Sequence, residues 1–125
     1  MDCLGNSEKM RFDSSNKVFI IAEAGVNHNG KLSEAIKLVD AAKYAGANAV
    51  KFQTFDLNSN YSLENTSNKK KKWVKDLSLS KNEFEQLFEY CKSLDIEFMS
   101  TPFDIKSASF INELGVKIFK ISSSE

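Results

Sequence analysis

The sequence predicts an α/β protein in which strands and helices alternate in the order β-α-β-α-β-α-β. Short apolar runs of strand length are separated by stretches whose apolar residues recur at helical spacing, and turn-forming residues mark the junctions. Strands that alternate with helices in this way pair in parallel through right-handed crossovers. The sequence therefore predicts one parallel sheet with helices packed against it.

The first predicted strand, residues 18–22, is apolar on both faces, which is typical of a strand buried inside a parallel sheet. Residues 1–17 before it are polar and are predicted to be a poorly ordered lead-in. A turn over residues 25–30 follows and is rich in Gly and Asn, which tolerate positive φ. We interpret Asn27 and His28 mainly as turn residues, because His28 is the only histidine and cannot form a metal site alone.

The first helix is predicted from five apolar residues at helical spacing, namely Leu32, Ala35, Ile36, Val39 and Ala42. Gly46 is placed to end this helix in the left-handed conformation. Residues 49–54 then read as the second strand.

A long polar connection over residues 56–79 contains four consecutive lysines at 69–72. We interpret them as a solvated face, because 17 basic and 17 acidic residues leave no net charge to favour nucleic acid or an anionic membrane. Trp73, Val74 and Leu77 predict a short helix within this connection.

The next helix has the clearest local signature. Ser80 and Glu83 are spaced as a capping box, and Leu79 and Phe84 are spaced as the hydrophobic staple that accompanies it. Cys91 continues the apolar stripe of this helix and is interpreted as a core thiol rather than a reactive one.

The third strand is predicted over residues 96–101, and Asp104 is placed to cap a further helix. Gly115 ends that helix, and residues 116–121 are predicted to form a fourth strand.

All four predicted strands carry a polar or charged side chain at or near the carboxyl end. These are Glu23, Lys51, Gln53, Thr101 and Lys120. In (β/α) barrels and open α/β sheets, ligands bind at this edge. Two lysines, a threonine and serines there suit an anionic ligand such as a phosphate or carboxylate, while glutamates can orient hydroxyls or move protons.

Two other interpretations of the lysines stay open at this point. Lys51 and Lys120 could pair structurally with carboxylates such as Glu23 and Glu125, because a buried lysine without a partner is costly. Alternatively, one of these lysines could form a Schiff base with a carbonyl substrate, as in an aldolase.

Four segments closely resemble motifs of the sialic acid synthase family and occur in the same order. They read IAEAGVNHNG (residues 21–30), AVKFQT (49–54), FMSTPFD (98–104) and KISSSE (120–125). The family includes N-acetylneuraminate, legionaminate and pseudaminate synthases. It often has Gly where this chain has Ser124.

The resemblance implies the N-terminal half of an aldolase-type (β/α)₈ TIM barrel, with its first four strands in residues 18–125. The second half of the barrel and a C-terminal antifreeze-protein-like domain are expected to be absent from this chain. In the family, that domain lends an arginine to the neighbouring subunit, so the full-length protein is expected to be a homodimer. We expect the fragment alone to be inactive and either poorly soluble or oligomeric.

The family's reaction condenses phosphoenolpyruvate with an open-chain N-acylated aminosugar, such as N-acetylmannosamine, to give a nine-carbon sialic acid and phosphate. A divalent metal, Mn or Mg, polarises the sugar aldehyde. Its ligands are expected to lie outside this chain, in the second half of the barrel. This chemistry requires no lysine Schiff base.

The resemblance also implies roles for individual residues. Phosphoenolpyruvate would be held by Lys51, Thr101, Lys120 and Ser123. Gln53 and Glu125 would contact the sugar. Glu23 and Glu125 are the candidate catalytic residues, with Glu23 close to the reacting centre and the metal.

A runner-up of a different class is a non-catalytic or split half-barrel that binds a phosphorylated ligand. For either class a reduced, cytoplasmic location is expected, because Cys3 and Cys91 lie too far apart in the sequence to suggest a disulfide framework. No apolar run approaches the ~20 residues of a membrane span. Residues 1–17 also lack the apolar centre of a secretory signal.

Overall fold

The computed structural model describes residues 17–56 and 68–123. Its elements follow the chain as β1 (Ile21–Gly25), α1 (Leu32–Tyr44), β2 (Ala49–Thr54), α2 (Asn68–Asp76), α3 (Lys81–Ser93), β3 (Glu97–Pro102) and α4 (Ile105–Glu113). The predicted lead-in up to residue 16, part of the long connection, and Ser124 and Glu125 lie outside the described residues.

The strands form one sheet in the order β1-β2-β3, and both pairings are parallel. The register pairs Glu23 with Lys51 and Gln53 with Thr101, and it shifts between Glu23 and Gly25. The predicted α/β class and parallel sheet are therefore confirmed for the part of the chain that the structure describes.

The prediction for the first strand was wrong in two respects. The strand begins at Ile21 rather than residue 18, and it lies at an edge of the sheet. Val18 is 82% exposed and Ile20 is 55% exposed. Within β1, Ala22 and Ala24 face the core, whereas Ile21 and Glu23 point to the other face of the sheet and are exposed. The described core therefore covers only one face of this strand.

The predicted fourth strand, residues 116–121, does not form as a strand. A single parallel bridge joins Ser100 to Phe119, and the amide of Lys120 donates to the carbonyl of Ser100 over 3.1 Å. The segment thus runs beside β3 without extending the ladder. Within the described residues it has a sheet neighbour on one side only, so the cooperative pairing that stabilises an inner strand is missing.

The hydrophobic core lies between the helices and one face of the sheet. Phe52 of β2 stacks on Phe98 of β3 with ring centroids 5.7 Å apart, and Phe84 of α3 meets Phe98 edge-on at 6.4 Å. Cys91 is fully buried in this core, and burial raises the pKa of its thiol to about 12. The interpretation of Cys91 as a core thiol is confirmed.

The predicted helix ends are also confirmed. The amide of Ser80 donates to Glu83 over 2.8 Å and the amide of Glu83 donates back to the Ser80 hydroxyl, which completes the capping box of α3. Asp104 caps α4. Gly46 and Gly115 follow α1 and α4 with φ of +80° and +93°.

The short helix within the long connection is present as α2, with Val74 buried and Lys69, Lys72 and Lys75 exposed. The exposed lysines agree with the interpretation of this run as a solvated face. No helix in the described ranges is both long enough and apolar enough to span a bilayer.

Candidate active site

The sheet face opposite the helices carries the polar residues that the sequence singled out. Along β2, Val50, Phe52 and Thr54 are buried on the helix side, while Lys51 and Gln53 are only partly buried and alternate with them. The register then places Glu23 beside Lys51 and Thr101 beside Gln53. Four of the predicted site residues therefore share one face near the carboxyl ends of the strands.

Lys51 and Glu23 form an ion pair between neighbouring strands. The Lys51 side chain is 13% exposed and that of Glu23 is 54% exposed, so the carboxylate reaches water while most of the lysine is covered. A lysine side chain that is mostly covered needs such a partner, because losing water without compensation is costly. The predicted pairing of Lys51 with Glu23 is thus confirmed, and the pair places charges of both signs on this face of the sheet.

Gly25 brings the Glu23 carboxylate and the Gln53 amide to one place. A Cβ atom at Gly25 would lie 3.3 Å from Oε1 of Glu23 and 3.7 Å from Nε2 of Gln53. Gly25 also has a φ of +56°, which side chains rarely adopt. The sequence pattern identifies Gly25 only as a turn residue. Its position two residues after Glu23, near the end of the predicted strand, is the signal that could have indicated a site role.

Thr101 is 4% exposed at the end of β3. The preceding residue, Ser100, points to the helix side, where its hydroxyl lies 2.7 Å from that of Thr54. Because side chains alternate along a strand, the buried hydroxyls of Ser100 and Thr54 lie on the helix side, whereas Thr101 lies on the sheet face of Lys51 and Gln53.

The remaining predicted site residues are less closely grouped. Lys120 lies beside β3 through its backbone, but its side chain is exposed and its ammonium contacts the carbonyl of Ile121. Ser123 is exposed. Glu125 lies outside the described residues, so its pairing with Lys120 stays a prediction.

His28 is fully buried on the helix side of the sheet, opposite the face that carries Lys51 and Gln53. Its Nδ1 accepts a hydrogen bond from the amide of Gly30 over 3.1 Å, and its ring lies 6.0 Å from that of Phe52. Its Nε2 has no hydrogen-bond partner among the residues that the structure describes. Burial lowers the pKa of His28, and the nearby Glu83 carboxylate opposes this only in part. These contacts agree with the interpretation of His28 as a turn residue.

Metal ligands are not grouped in the part of the chain that the structure describes. It contains no cluster of three or more His, Cys, Asp or Glu side chains that could hold an ion. Glu23 is the one candidate catalytic residue whose carboxylate can be located there.

A parallel α/β unit with an ion pair, an amide and a threonine at the carboxyl ends of its strands is typical of the α/β domains that bind ligands at this edge of the sheet. Residues 38–125 match the sequence pattern of the NeuB family, and the chain belongs to that family.

The curated relatives include sialic acid synthases from distant organisms. The chain is 48% identical over 123 residues to the N,N'-diacetyllegionaminic acid synthase of Legionella pneumophila, covering 90% of this chain and 35% of that protein. It is 32% identical over 117 residues to human N-acetylneuraminate-9-phosphate synthase, covering 86% of this chain and 33% of that protein. The resemblance to sialic acid synthases is confirmed, and the chain spans about a third of the length of these relatives.

A solved structure shows the same relation. The crystal structure of N-acetylneuraminic acid synthetase from Leptospira borgpetersenii in complex with citrate matches with a TM-score of 0.76 and 41% identity. The match covers 87% of this chain and 37% of that one. The arrangement of three parallel strands and their helices is therefore shared with a sialic acid synthetase.

Proposed function

We propose that this chain is the N-terminal part of a synthase that condenses phosphoenolpyruvate with an N-acylated aminosugar resembling N-acetylmannosamine. The products would be a nine-carbon sialic acid and phosphate, for surface carbohydrate biosynthesis. The observation that carries the proposal is the Glu23–Lys51 ion pair beside Gln53, at the carboxyl ends of the strands in a member of the NeuB family.

The proposed fold is the N-terminal half of a (β/α)₈ TIM barrel. Three strands in sequential parallel order, with residues 116–121 running beside β3, support this reading. The sheet face that carries Lys51 and Gln53 would become the barrel interior, and α1, α3 and α4 would belong to the outer ring.

In the proposed reaction, the methylene carbon of phosphoenolpyruvate bonds to the aldehyde carbon of the sugar. A water oxygen then bonds to the resulting oxocarbenium carbon, and the C–O bond to phosphate breaks. A bound Mn or Mg would polarise the aldehyde. Its ligands are proposed to lie beyond the described residues, which contain no cluster for it.

The residues of this chain would bind and orient the reactants. The ammonium of Lys51, held against Glu23, would attract the carboxylate or phosphate of phosphoenolpyruvate. The Thr101 hydroxyl would bond to the same anion. The Gln53 amide both donates and accepts, which suits a sugar hydroxyl. Glu23 would hold the Lys51 ammonium in position through the ion pair and accept a proton near the reacting centre.

Lys120 and Ser123 are proposed to bind phosphoenolpyruvate, and Glu125 to contact the sugar and act in catalysis. In this proposal the Lys120 side chain turns away from the Ile121 carbonyl when the anion binds, since an ammonium bonds more strongly to an anion than to a neutral carbonyl. The proposal also includes a homodimer and a cytoplasmic location for the whole protein.

The test is to incubate the protein, as its gene encodes it, with phosphoenolpyruvate labelled with ¹⁸O at the bridging position and with N-acetylmannosamine or related aminosugars. The proposal predicts a nine-carbon acid, with the label in the released phosphate because the C–O bond breaks. A borohydride-trapped lysine adduct would instead support the aldolase alternative. Phosphoenolpyruvate binding without turnover would favour the non-catalytic or split half-barrel.

A further inference from the structure

Asp104 accepts hydrogen bonds from two separate parts of the chain. Its Oδ1 accepts the amide of Ser107 over 2.7 Å, which caps α4. Its Oδ2 accepts the Ser107 hydroxyl over 2.7 Å and the amide of Asp56 over 2.8 Å. Asp56 lies two residues after β2, so this one carboxylate joins the segments that follow two neighbouring strands.

Helix capping alone does not require this arrangement. A serine or threonine hydroxyl caps a helix N-terminus about as well as an aspartate does, because one oxygen satisfies one free amide. The second oxygen of Asp104 bonds to a residue 48 positions away in the sequence. The aspartate therefore both caps α4 and bonds to the segment that follows β2.

Three further contacts join the same two segments. The amide of Phe103 donates to the carbonyl of Thr54 over 3.1 Å, and the rings of Phe55 and Phe103 stack with centroids 4.8 Å apart. Lys106 also lies 3.5 Å from the carboxylate of Asp56. We call these contacts, together with the Asp104 bond to Asp56, the β2–β3 clasp.

The β2–β3 clasp closes directly beyond Gln53 and Thr101, which face each other in the register of β2 and β3. We propose that Asp104 is a positioning residue that holds the carboxyl ends of β2 and β3 together, and thereby fixes Gln53 and Thr101 for substrate. This role rests on the proposed function, while the clasp itself is a feature of the fold.

The ionisation of Asp104 fits this role. Burial alone would raise its pKa, but the hydrogen bonds from the amides of Asp56, Ser107 and Lys106 and from the Ser107 hydroxyl lower the pKa overall. The carboxylate is therefore charged at neutral pH and can accept all of these bonds at once. The charged side chains nearest to it in the clasp are Lys106 and Asp56.

Two substitutions distinguish the role of Asp104 as the cap of α4 from its hydrogen bond to the Asp56 amide. Asp104→Ser keeps a capping oxygen for Ser107 but is too short to reach the amide of Asp56. Asp104→Asn keeps one accepting oxygen but replaces the other with an NH₂ group. That group cannot accept a hydrogen bond from the Ser107 or Asp56 donors. The matched control is Ser80→Ala, which removes a cap from α3 and leaves the clasp intact.

The β2–β3 clasp can be tested by measuring amide hydrogen exchange in the protein as its gene encodes it. In Asp104→Ser, amides in a peptide covering residues 53–56 should exchange at least about tenfold faster, as expected from losing a bond to a charged acceptor. Ser80→Ala should lower the unfolding temperature without this change. Unchanged exchange in Asp104→Ser, or an equal increase in Ser80→Ala, would overturn the clasp.

Kinetics of the same variants test the positioning role. Asp104→Ser and Asp104→Asn should raise KM for the aminosugar and for phosphoenolpyruvate several-fold with a smaller effect on kcat, whereas Ser80→Ala should leave KM unchanged. Faster exchange with an unchanged KM would refute positioning. A wild-type protein without synthase activity would instead count against the proposed function, and the exchange result would still decide the clasp.

Discussion

The ammonium of Lys51 is paired with the carboxylate of Glu23 across adjacent parallel strands whose register places these two residues side by side. The two partners differ in their access to solvent, since Glu23 is half exposed and Lys51 is mostly covered. This asymmetry has a consequence for mutagenesis. Removing Lys51 leaves a carboxylate that water can solvate, whereas removing the charge of Glu23 leaves a mostly covered lysine without its charged partner.

We therefore expect Glu23→Gln to destabilise the protein more than Lys51→Met does. The amide oxygen of Gln can still accept a hydrogen bond from Lys51 but carries no charge, so the difference should be about 1 kcal/mol, the excess of a hydrogen bond to a charged group over one to a neutral group. Urea unfolding of both variants measures it. Lys37→Met is the control, because Lys37 pairs with Glu34 on an exposed helix surface, where ion pairs contribute little. Equal losses for Glu23→Gln and Lys51→Met would contradict the asymmetry.

The activity of Lys51→Met tests the proposed role of Lys51 in binding phosphoenolpyruvate. If Lys51 holds the anion, Lys51→Met should lower kcat/KM by about a hundredfold or more, as losing a preorganised electrostatic group does. Lys37→Met should leave kcat/KM unchanged. Steady-state kinetics with varied phosphoenolpyruvate checks this, and a Lys51→Met enzyme with normal kcat/KM would remove Lys51 from the proposed site.

Gly25 allows a second matched comparison. Gly25→Ala and Gly46→Ala both introduce a side chain at positive φ, which costs about 1–2 kcal/mol. A Cβ at Gly46 has no atom within 4 Å, while one at Gly25 lies 3.3 Å from Glu23 Oε1. Both variants should lose similar stability in urea, but only Gly25→Ala should lose activity. Comparable activity in the two variants would show that Gly25 matters only as a turn residue.

Cys91 should resist thiol reagents in the folded protein. The thiolate is the reactive form, and burial raises the pKa of Cys91 to about 12, so little thiolate exists at neutral pH. Iodoacetamide labelling followed by peptide mass spectrometry should find Cys91 modified only after denaturation. Rapid labelling of Cys91 under native conditions would contradict its place in the core.

Local signals predicted most of the helices correctly. The capping box of Ser80 and Glu83 and the cap at Asp104 each involve residues three positions apart, so their chemistry can be recognised in a short stretch of sequence. Alternation along β2 also predicted correctly that Lys51 and Gln53 share a face. These inferences needed no knowledge of distant partners.

The errors concern features that depend on neighbours across the sheet. Residues 18–22 have the composition of a strand buried on both faces, but among the described residues the core covers only one face of β1. Residues 116–121 have a strand pattern but form a single bridge. The bond from Asp56 to Asp104 spans 48 residues and has no local signature. Sequence periodicity does not contain this information.

The isolated chain of residues 1–125 should show no condensation activity and should be oligomeric or poorly soluble. In the proposed site, Lys51 and Gln53 would supply one side, and the metal ligands would lie outside this chain. Val18, Ile20 and Ile121 are exposed apolar residues near the open edges of the sheet, and such edges promote association. Analytical ultracentrifugation and a phosphate-release assay on this chain check both parts. A monomeric chain with full turnover would overturn the half-barrel proposal.

The buried His28 should make stability depend on pH in a window below its unfolded pKa. Burial lowers the pKa of His28 from 6.5, so between that value and the folded pKa the unfolded chain binds more protons than the folded protein. Its contribution to stability is complete above pH 6.5 and declines as pH falls through the window, by at most about 1.4 kcal/mol per pH unit.

In His28→Phe this dependence should disappear, while the lost bond to the Gly30 amide lowers stability at every pH. Urea unfolding from pH 7.5 to 5 gives the free energy of unfolding of the wild type and of His28→Phe at each pH. In the difference between the two proteins, the contributions of groups that both contain cancel. Parallel curves for the two proteins would mean that His28 does not titrate differently on folding.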